Sequence, residues 1–583
     1  MRSVLCASLG YLGLQSTFGG QQRCVRQDRH PTDVVEAAQQ NSQLQLTSAI
    51  TTPRADDASY DLPWRPQVHF TPPQDFMNDP NGLFRDEDGL WHMYYQYAPT
   101  LNPGALKDWG HATSNDLYTW SNQPIAISGD SYGAVWSGSI VIDVNNTSGF
   151  FPNQSNGIVA FYTNYTNAQE AQAVAYSHDG GYTFTKYAEN PIISLNQHGF
   201  RDPKVIWHEP TNHWVMVVSH ADERFIAFYT SENLTSWTQV STFTNPGVPA
   251  AFECPQFVPM PFQTSPSAAP NNDYYLLAIS TSAGGPNGSS GVKYFPGTFN
   301  GTHFFPVDDL ATRYMDFGQD TYATAFFYEL GSAAANKPIS ISWATSLSYA
   351  TNVPTGTAEG WISAMSVART HYFANITSSG YDLISEPVDI TPMHDSLLSS
   401  EQDLGNGGMA IDYSTLASGA ISFSVNLTTA GQTNGNETVQ LIFSSSTTSE
   451  SISLGLTLDG SSATFSMSRA NITSWTTSFE VTAFTKSNLV PLSSTSLSRR
   501  SFSTTNQVQF SPYTRQIKTQ AYTLNGVIDR TILEVFLNGG VDAGTMIFFP
   551  KGGLDTMSLN VAGLGDGSGV GFEAWGLKSG WSS

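Results

Sequence analysis

Cysteine is scarce in this chain. Cys6, Cys24 and Cys254 are the three in 583 residues, with neither paired spacing nor a Cys/His cluster, so neither a disulfide framework nor a zinc site is expected. Positive charge is scarce too: 25 Lys and Arg face 48 Asp and Glu, for a formal net charge of −23. Such a surface repels nucleic acid and anionic membranes, and it suits a small neutral substrate better than a polyanion. The same charge would also serve solubility in acidic surroundings. No apolar run reaches membrane-spanning length, and amphipathic helical stretches are nearly missing.

What is present divides along the chain. A chain of 583 residues exceeds what one hydrophobic core supports, so two domains with appendages are expected. Residues 1–20 open with Met1 and Arg2, continue with a short apolar run and end on Gly19 and Gly20, the pattern of a secretory signal peptide. Residues 21–59 are polar and aperiodic and read as a disordered or processed leader. Acceptor sequons at Asn145, Asn146, Asn153, Asn164, Asn233, Asn287, Asn300, Asn375, Asn426, Asn436 and Asn471 agree with secretion and N-glycosylation, placing the protein outside the cell or in its wall. Adjacent Asn145 and Asn146 are not expected to be modified together.

From residue 60 to 392, short aromatic and β-branched runs alternate with Gly, Pro, Asn and Ser, which predicts an all-β region. A weak repeat narrows the class. Segments 113–120, 177–184 and 230–237 each place a Ser before a polar turn and close on an aromatic, Trp120, Phe184 or Trp237. Their spacing gives one four-stranded propeller blade per copy and about five blades over the region. A recurring hairpin in some other β fold is the plainer alternative. Residues 393–408, polar and Gly-rich towards their end, read as a linker. In residues 409–583, period-two alternation such as Ile421, Phe423 and Val425 against Ser422 and Ser424 predicts a β-sandwich.

The most informative segment is Met77-Asn78-Asp79-Pro80-Asn81-Gly82, an acid among turn-forming residues with aromatics on both sides. A tight turn is expected there, with Asp79 either capping it or standing at the mouth of a site. Two further acids, in Arg201-Asp202-Pro203 and Glu253-Cys254-Pro255, also lie close to a proline. Proline disfavours the helical region for the residue before it, so Asp202 and Cys254 are expected to be extended. Cys254 reads as a small packing residue rather than a nucleophile.

These three blocks resemble glycoside hydrolase family 32, the invertases and inulinases. Further segments resemble that family in the same order: Tyr95-Gln96-Tyr97, Trp109-Gly110-His111, Trp136-Ser137-Gly138-Ser139, Asp316-Phe317-Gly318 and the stretch around Glu534. Phe76 departs from the family's Trp in the opening block, and Trp136 stands where many members have Phe. The resemblance implies a five-bladed β-propeller followed by a β-sandwich, and a retaining β-fructofuranosidase with no metal or organic cofactor.

It further implies Asp79 as nucleophile, Glu253 as acid/base and Asp202 as transition-state stabiliser. Asn78, Gln96 and Ser137 would bond the fructosyl hydroxyls, with Trp109, Trp136 and Trp343 as apolar walls, although core packing is the common fate of such tryptophans. Arg201 is expected to favour ionised neighbours, and Phe252, Pro255 and Phe257 to help Glu253 keep a proton. Sucrose is the expected substrate, with inulin hydrolysis or fructosyl transfer as alternatives. A fructan-binding propeller without activity and an arabinan-cleaving relative are the rivals. A homodimer in which the sandwich covers a neighbour's pocket is compatible with this reading.

Overall fold

The computed structural model describes residues 59–263, 270–330, 337–429, 436–460, 462–475, 482–492 and 520–581. The expected signal peptide and all but the last residue of the leader lie outside them. The described elements are strands apart from single turns of 3-10 helix and the five-residue helix Thr355–Glu359.

Between Asp75 and Pro387 the described strands form five sheets of four to six strands. Each sheet contains one strand that packs against its counterparts in the neighbouring sheets: Asp75–Arg85, Ala134–Asp143, Phe200–His208, Phe252–Pro259 and Tyr322–Phe326. They follow one another in that order, and the fifth returns to the first, closing a ring. The short strand Trp361–Ile362 pairs in parallel with Asp75–Arg85 and joins the late part of the chain to the first sheet. Apolar residues such as Val141, Val159, Val205 and Met216 fill the space between adjacent sheets.

The repeat read in the sequence is a repeated structure. Ser114, Ser177 and Ser231 each turn their hydroxyl back on the hairpin, accepting from the N–H of Leu117, Gly181 and Leu234. Asp116, Asp179 and Asn233 accept further backbone N–H bonds in the same turns. Leu117, Gly180 and Leu234, each three residues after its Ser, adopt φ of 68°, 78° and 65°. The caps compensate a left-handed conformation that a leucine otherwise avoids.

The remaining strands make two six-stranded sheets packed face to face. Alternation drives this packing: Ile421, Phe423 and Val425 point inward against Leu441, Phe443, Leu454 and Phe465. One expectation fails here. His394–Leu404, taken for most of a linker, is an 11-residue strand paired with Gly569–Leu577. It lies at the sheet edge with most residues exposed, so it lacks the alternation that betrays a half-buried strand.

Buried ion pairs fasten the sandwich to the ring of sheets. Arg369 binds Glu534 at 2.7 Å and Asp316 at 3.0 Å, and Arg469 binds Asp320 at 2.7 Å. His69 lies between Asp529 at 3.0 Å and Glu534 at 3.3 Å. The Asp316-Phe317-Gly318 block is part of this seam. Phe317 packs edge-on against Phe465, and a Cβ on Gly318 would lie 2.3 Å from the Thr545 carbonyl oxygen.

Candidate active site

The ring strands share one irregularity. Pairing with the next strand slips between Met77 and Pro80, Val135 and Gly138, Arg201 and Lys204, Glu253 and Gln256, and Tyr322 and Ala325. A β-bulge re-aims the side chains at its position, and here five bulges recur in five adjacent strands. Asp79, Ser137, Asp202 and Cys254 sit inside four of them, and Glu253 and Tyr322 border two.

Two local expectations are corrected. Residues 77–82 form no turn but lie within the continuous strand Asp75–Arg85, where Pro80 and Gly82 fall at its irregular pairing. Gly82 has φ of 51°, and a Cβ there would come within 2.9 Å of Ile140 and Trp109. Asp202 and Cys254 are left-handed, with φ of 64° and 46°, rather than extended. Proline excludes the right-handed helical region for both, and the bulge selects the left-handed alternative.

The carboxylates meet through Cys254. Its backbone N–H donates to Asp202 Oδ2 at 2.8 Å, and its thiol lies 3.5 Å from Asp79 Oδ2. Ser137 donates to the same Asp79 oxygen at 2.6 Å. Glu253 accepts from Arg201 at 3.0 Å and from the hydroxyl of Tyr322. Arg201 also holds both oxygens of Glu170 at 3.0 Å. The apolar setting expected for Glu253 is therefore replaced by a cation and a hydroxyl. Phe252 and Phe257 turn away into the core, as alternation along a strand requires.

Burial dominates the electrostatics. It raises the Asp202 pKa to about 7; Arg201 pulls against this, while Asp79 adds to it. Burial also lifts the Cys254 thiol and the Tyr322 phenol well above their ordinary values, so both remain protonated donors. Arg201, half-buried and facing Glu170 and Glu253, stays charged.

The other expected residues separate into two groups. Half-buried Trp136 stacks on Tyr165 at 3.9 Å, an aromatic pair beside the carboxylates. Asn78 has a buried carbonyl oxygen with no protein partner among the described residues. Trp109, by contrast, is fully buried, and its indole N–H donates to the Trp136 carbonyl oxygen at 3.0 Å. It packs behind Trp136 and offers no open surface. Gln96 likewise spends its amide on the Val135 carbonyl oxygen at 2.9 Å. Trp343 is buried, edge-on to Phe76 and Tyr322.

The Trp136 block is explained by contacts on both sides. Gly138 N–H donates to Asn81, a Cβ on Gly138 would meet the Phe161 carbonyl oxygen at 1.9 Å, and Ser139 bonds the Pro203 carbonyl oxygen at 2.9 Å. Sequence reading missed Glu170, Tyr322, Tyr165 and Thr163, whose hydroxyl accepts the Asp202 N–H at 2.9 Å. Among the described residues, no group of His, Cys, Asp or Glu is arranged to hold a metal ion. All eleven sequon asparagines are exposed or half-exposed.

The "Glycosyl hydrolases family 32 N-terminal domain" matches residues 69–387, and "Glycosyl hydrolases family 32 C terminal" matches residues 391–576. The chain belongs to this family. It is 35% identical over 510 residues to Invertase 2 of Saccharomyces cerevisiae, covering 82% of this chain and 87% of the relative. An extracellular exo-inulinase of Meyerozyma guilliermondii is 35% identical over 489 residues, covering 82% and 88%. Among solved structures, a β-fructofuranosidase from Schwanniomyces occidentalis complexed with fructosyl-erythritol superposes with a TM-score of 0.73 at 30% identity, covering 88% of this chain and 98% of that one.

Proposed function

We propose that the chain is a secreted, retaining β-fructofuranosidase that hydrolyses sucrose by double displacement. Asp79 attacks the anomeric carbon of the fructosyl unit while Glu253 protonates the departing oxygen. Glu253 then takes a proton from water, which releases fructose from Asp79. Asp202 stabilises the oxocarbenium-like transition state through the sugar hydroxyls, and Arg201 and Tyr322 hold Glu253 in place. Asn78 and Ser137 face the fructosyl unit, and Trp136 with Tyr165 offers an apolar surface to the sugar C–H face. A sugar acceptor in place of water turns the same intermediate to transfer.

The observation that carries this reading is the convergence of Asp79, Asp202 and Glu253 on Cys254, from three separate sheets. The similarity to an invertase supports sucrose as substrate, and that to an exo-inulinase keeps inulin as the second reading. The five sheets are read as five propeller blades, with the sandwich beginning near residue 391. Exposure of the sequons supports N-glycosylation and export. Dimerisation through the sandwich remains part of the proposal.

Initial rates on sucrose and inulin test the substrate. Faster turnover of inulin would replace the first reading with the second. Asp79→Asn should lower sucrose hydrolysis by about a thousandfold or more with a near-native melting temperature; wild-type turnover in that variant removes Asp79 as nucleophile.

A further inference from the structure

Lys107 is a buried cation that the proposed chemistry leaves idle. It directly precedes the strand Asp108–Ser114 and is 8% exposed. Phe76 pairs with Ala98, and Tyr97 pairs with Asp108, so Lys107 stands level with Phe76 across the intervening strand. Its Nζ lies 4.3 Å from the centroid of the Phe76 ring. Among the described residues, its one contact is this ring, with neither a hydrogen bond nor an ion pair to the ammonium. Asp79 is the carboxylate whose charge acts on it, opposing the burial that draws its pKa down to about 7.

With no protein acceptor, the three N–H donors of this ammonium are open to the acceptors of a ligand. The neighbours indicate which part of the ligand that is. Phe76 meets Trp343 edge-on at 6.2 Å, Trp343 meets Tyr322 edge-on at 6.4 Å, and Tyr322 donates its hydroxyl to Glu253. This aromatic row thus runs from the ammonium to the carboxyl group that hands a proton to the departing oxygen. With the fructosyl unit at Asp79, the group attached to that oxygen would extend towards the ammonium.

Resting on the β-fructofuranosidase reading, we propose that Lys107 is a specificity-determining residue for the leaving group: its ammonium, set over Phe76, donates hydrogen bonds to hydroxyls of the departing sugar. Lys107 takes no part in bond breaking. It favours substrates whose leaving group is itself a polyol, such as glucose or a second fructose, over simple alkyl fructosides. The face of the Phe76 ring carries the ammonium, a cation–π contact that holds it in place.

The test compares sucrose with methyl β-D-fructofuranoside, which has the same fructosyl unit and a leaving group without hydroxyls beyond the one formed. In Lys107→Met, the ratio of kcat/KM for sucrose to that for the methyl fructoside should fall about tenfold, chiefly through KM for sucrose. Lys107→Arg, which keeps the cation and the donors, should recover most of the ratio and carries the comparison if the Met variant fails to fold. An equal loss on both substrates, or no change in the ratio, overturns the assignment. Wild-type protein that cleaves neither substrate overturns the β-fructofuranosidase reading itself, and this inference with it.

Discussion

The backbone N–H of Cys254 donates a 2.8 Å hydrogen bond to the Asp202 carboxylate. This single bond joins bulges in two adjacent sheets, and both residues are left-handed where it forms. It holds Asp202 beside Asp79 and Glu253 although burial opposes a charge there. Two bulged strands, rather than a loop, thus locate the acid, and rigid elements position a side chain more closely than mobile ones.

Asp202 should lower stability in one pH window. Its folded pKa, raised to about 7, exceeds the unfolded value near 4, so the folded state holds the extra proton between these limits. Stability therefore falls as pH rises from about 4 to about 7, and the cost is complete above that. Asp202→Asn cannot ionise. Its melting temperature should gain on wild type from pH 4 to pH 7 and level off beyond, while sucrose hydrolysis is lost. A difference that stays constant across this range would refute the electrostatic account.

Tyr322→Phe tests the anchoring of Glu253. The hydroxyl bonds one carboxyl oxygen while Arg201 holds the other. Without it the carboxyl of the proposed acid/base can rotate out of position, and misplacement of a proton donor costs rate rather than affinity. We expect kcat on sucrose to fall about tenfold with KM within about twofold. A change confined to KM would place Tyr322 in substrate binding instead.

The acids at the site were legible because each is embedded in local punctuation, a Pro close after Asp79, Asp202 and Glu253, that survives in the linear sequence. Their conformation was not legible. Pro, Asn and Gly mark a tight turn and an irregular strand alike, and only the partner strand Trp91–Ala98 decides between them. Glu170 and Tyr322 bear no local mark, since they reach the site through the pairing of strands distant in sequence. Trp109 and Trp136 look equivalent in sequence because indoles serve both cores and sugar surfaces; only the packing shows that Trp109 is buried and Trp136 half-buried. The β class, the hairpin repeat and the sandwich alternation were readable because each repeats a local period.

Glu170 should matter for stability as well as catalysis. Its carboxylate is almost wholly buried and takes both bonds from one Arg201 nitrogen, leaving the other nitrogen for Glu253. Glu170→Gln leaves the guanidinium one carboxylate short in a buried setting, which costs about 3 kcal/mol. Urea unfolding should show that loss through a lower midpoint at unchanged slope. A midpoint shift corresponding to less than about 0.5 kcal/mol would mean that Arg201 is held by Glu253 alone.

The seam beneath the sandwich should weaken in alkali. Burial alone would lower the His69 pKa, but bonds to Asp529 and Glu534 outweigh it and lift the value to about 9. Arg369 shares Glu534, and the N–H groups of Gln67 and Val68 share Asp529, so both acids stay ionised with pKa values below the ordinary range. The unfolded His69 titrates near 6.5, so the folded state retains the proton over the interval from there to about 9. His69 therefore contributes its full stabilisation below about pH 6.5 and loses it as pH rises to about 9. Relative to wild type, His69→Gln should be most destabilised near pH 6, and the gap in melting temperature should close by about pH 9. A gap that persists undiminished at pH 9 would show that packing, not the imidazolium charge, is what His69 supplies to the seam.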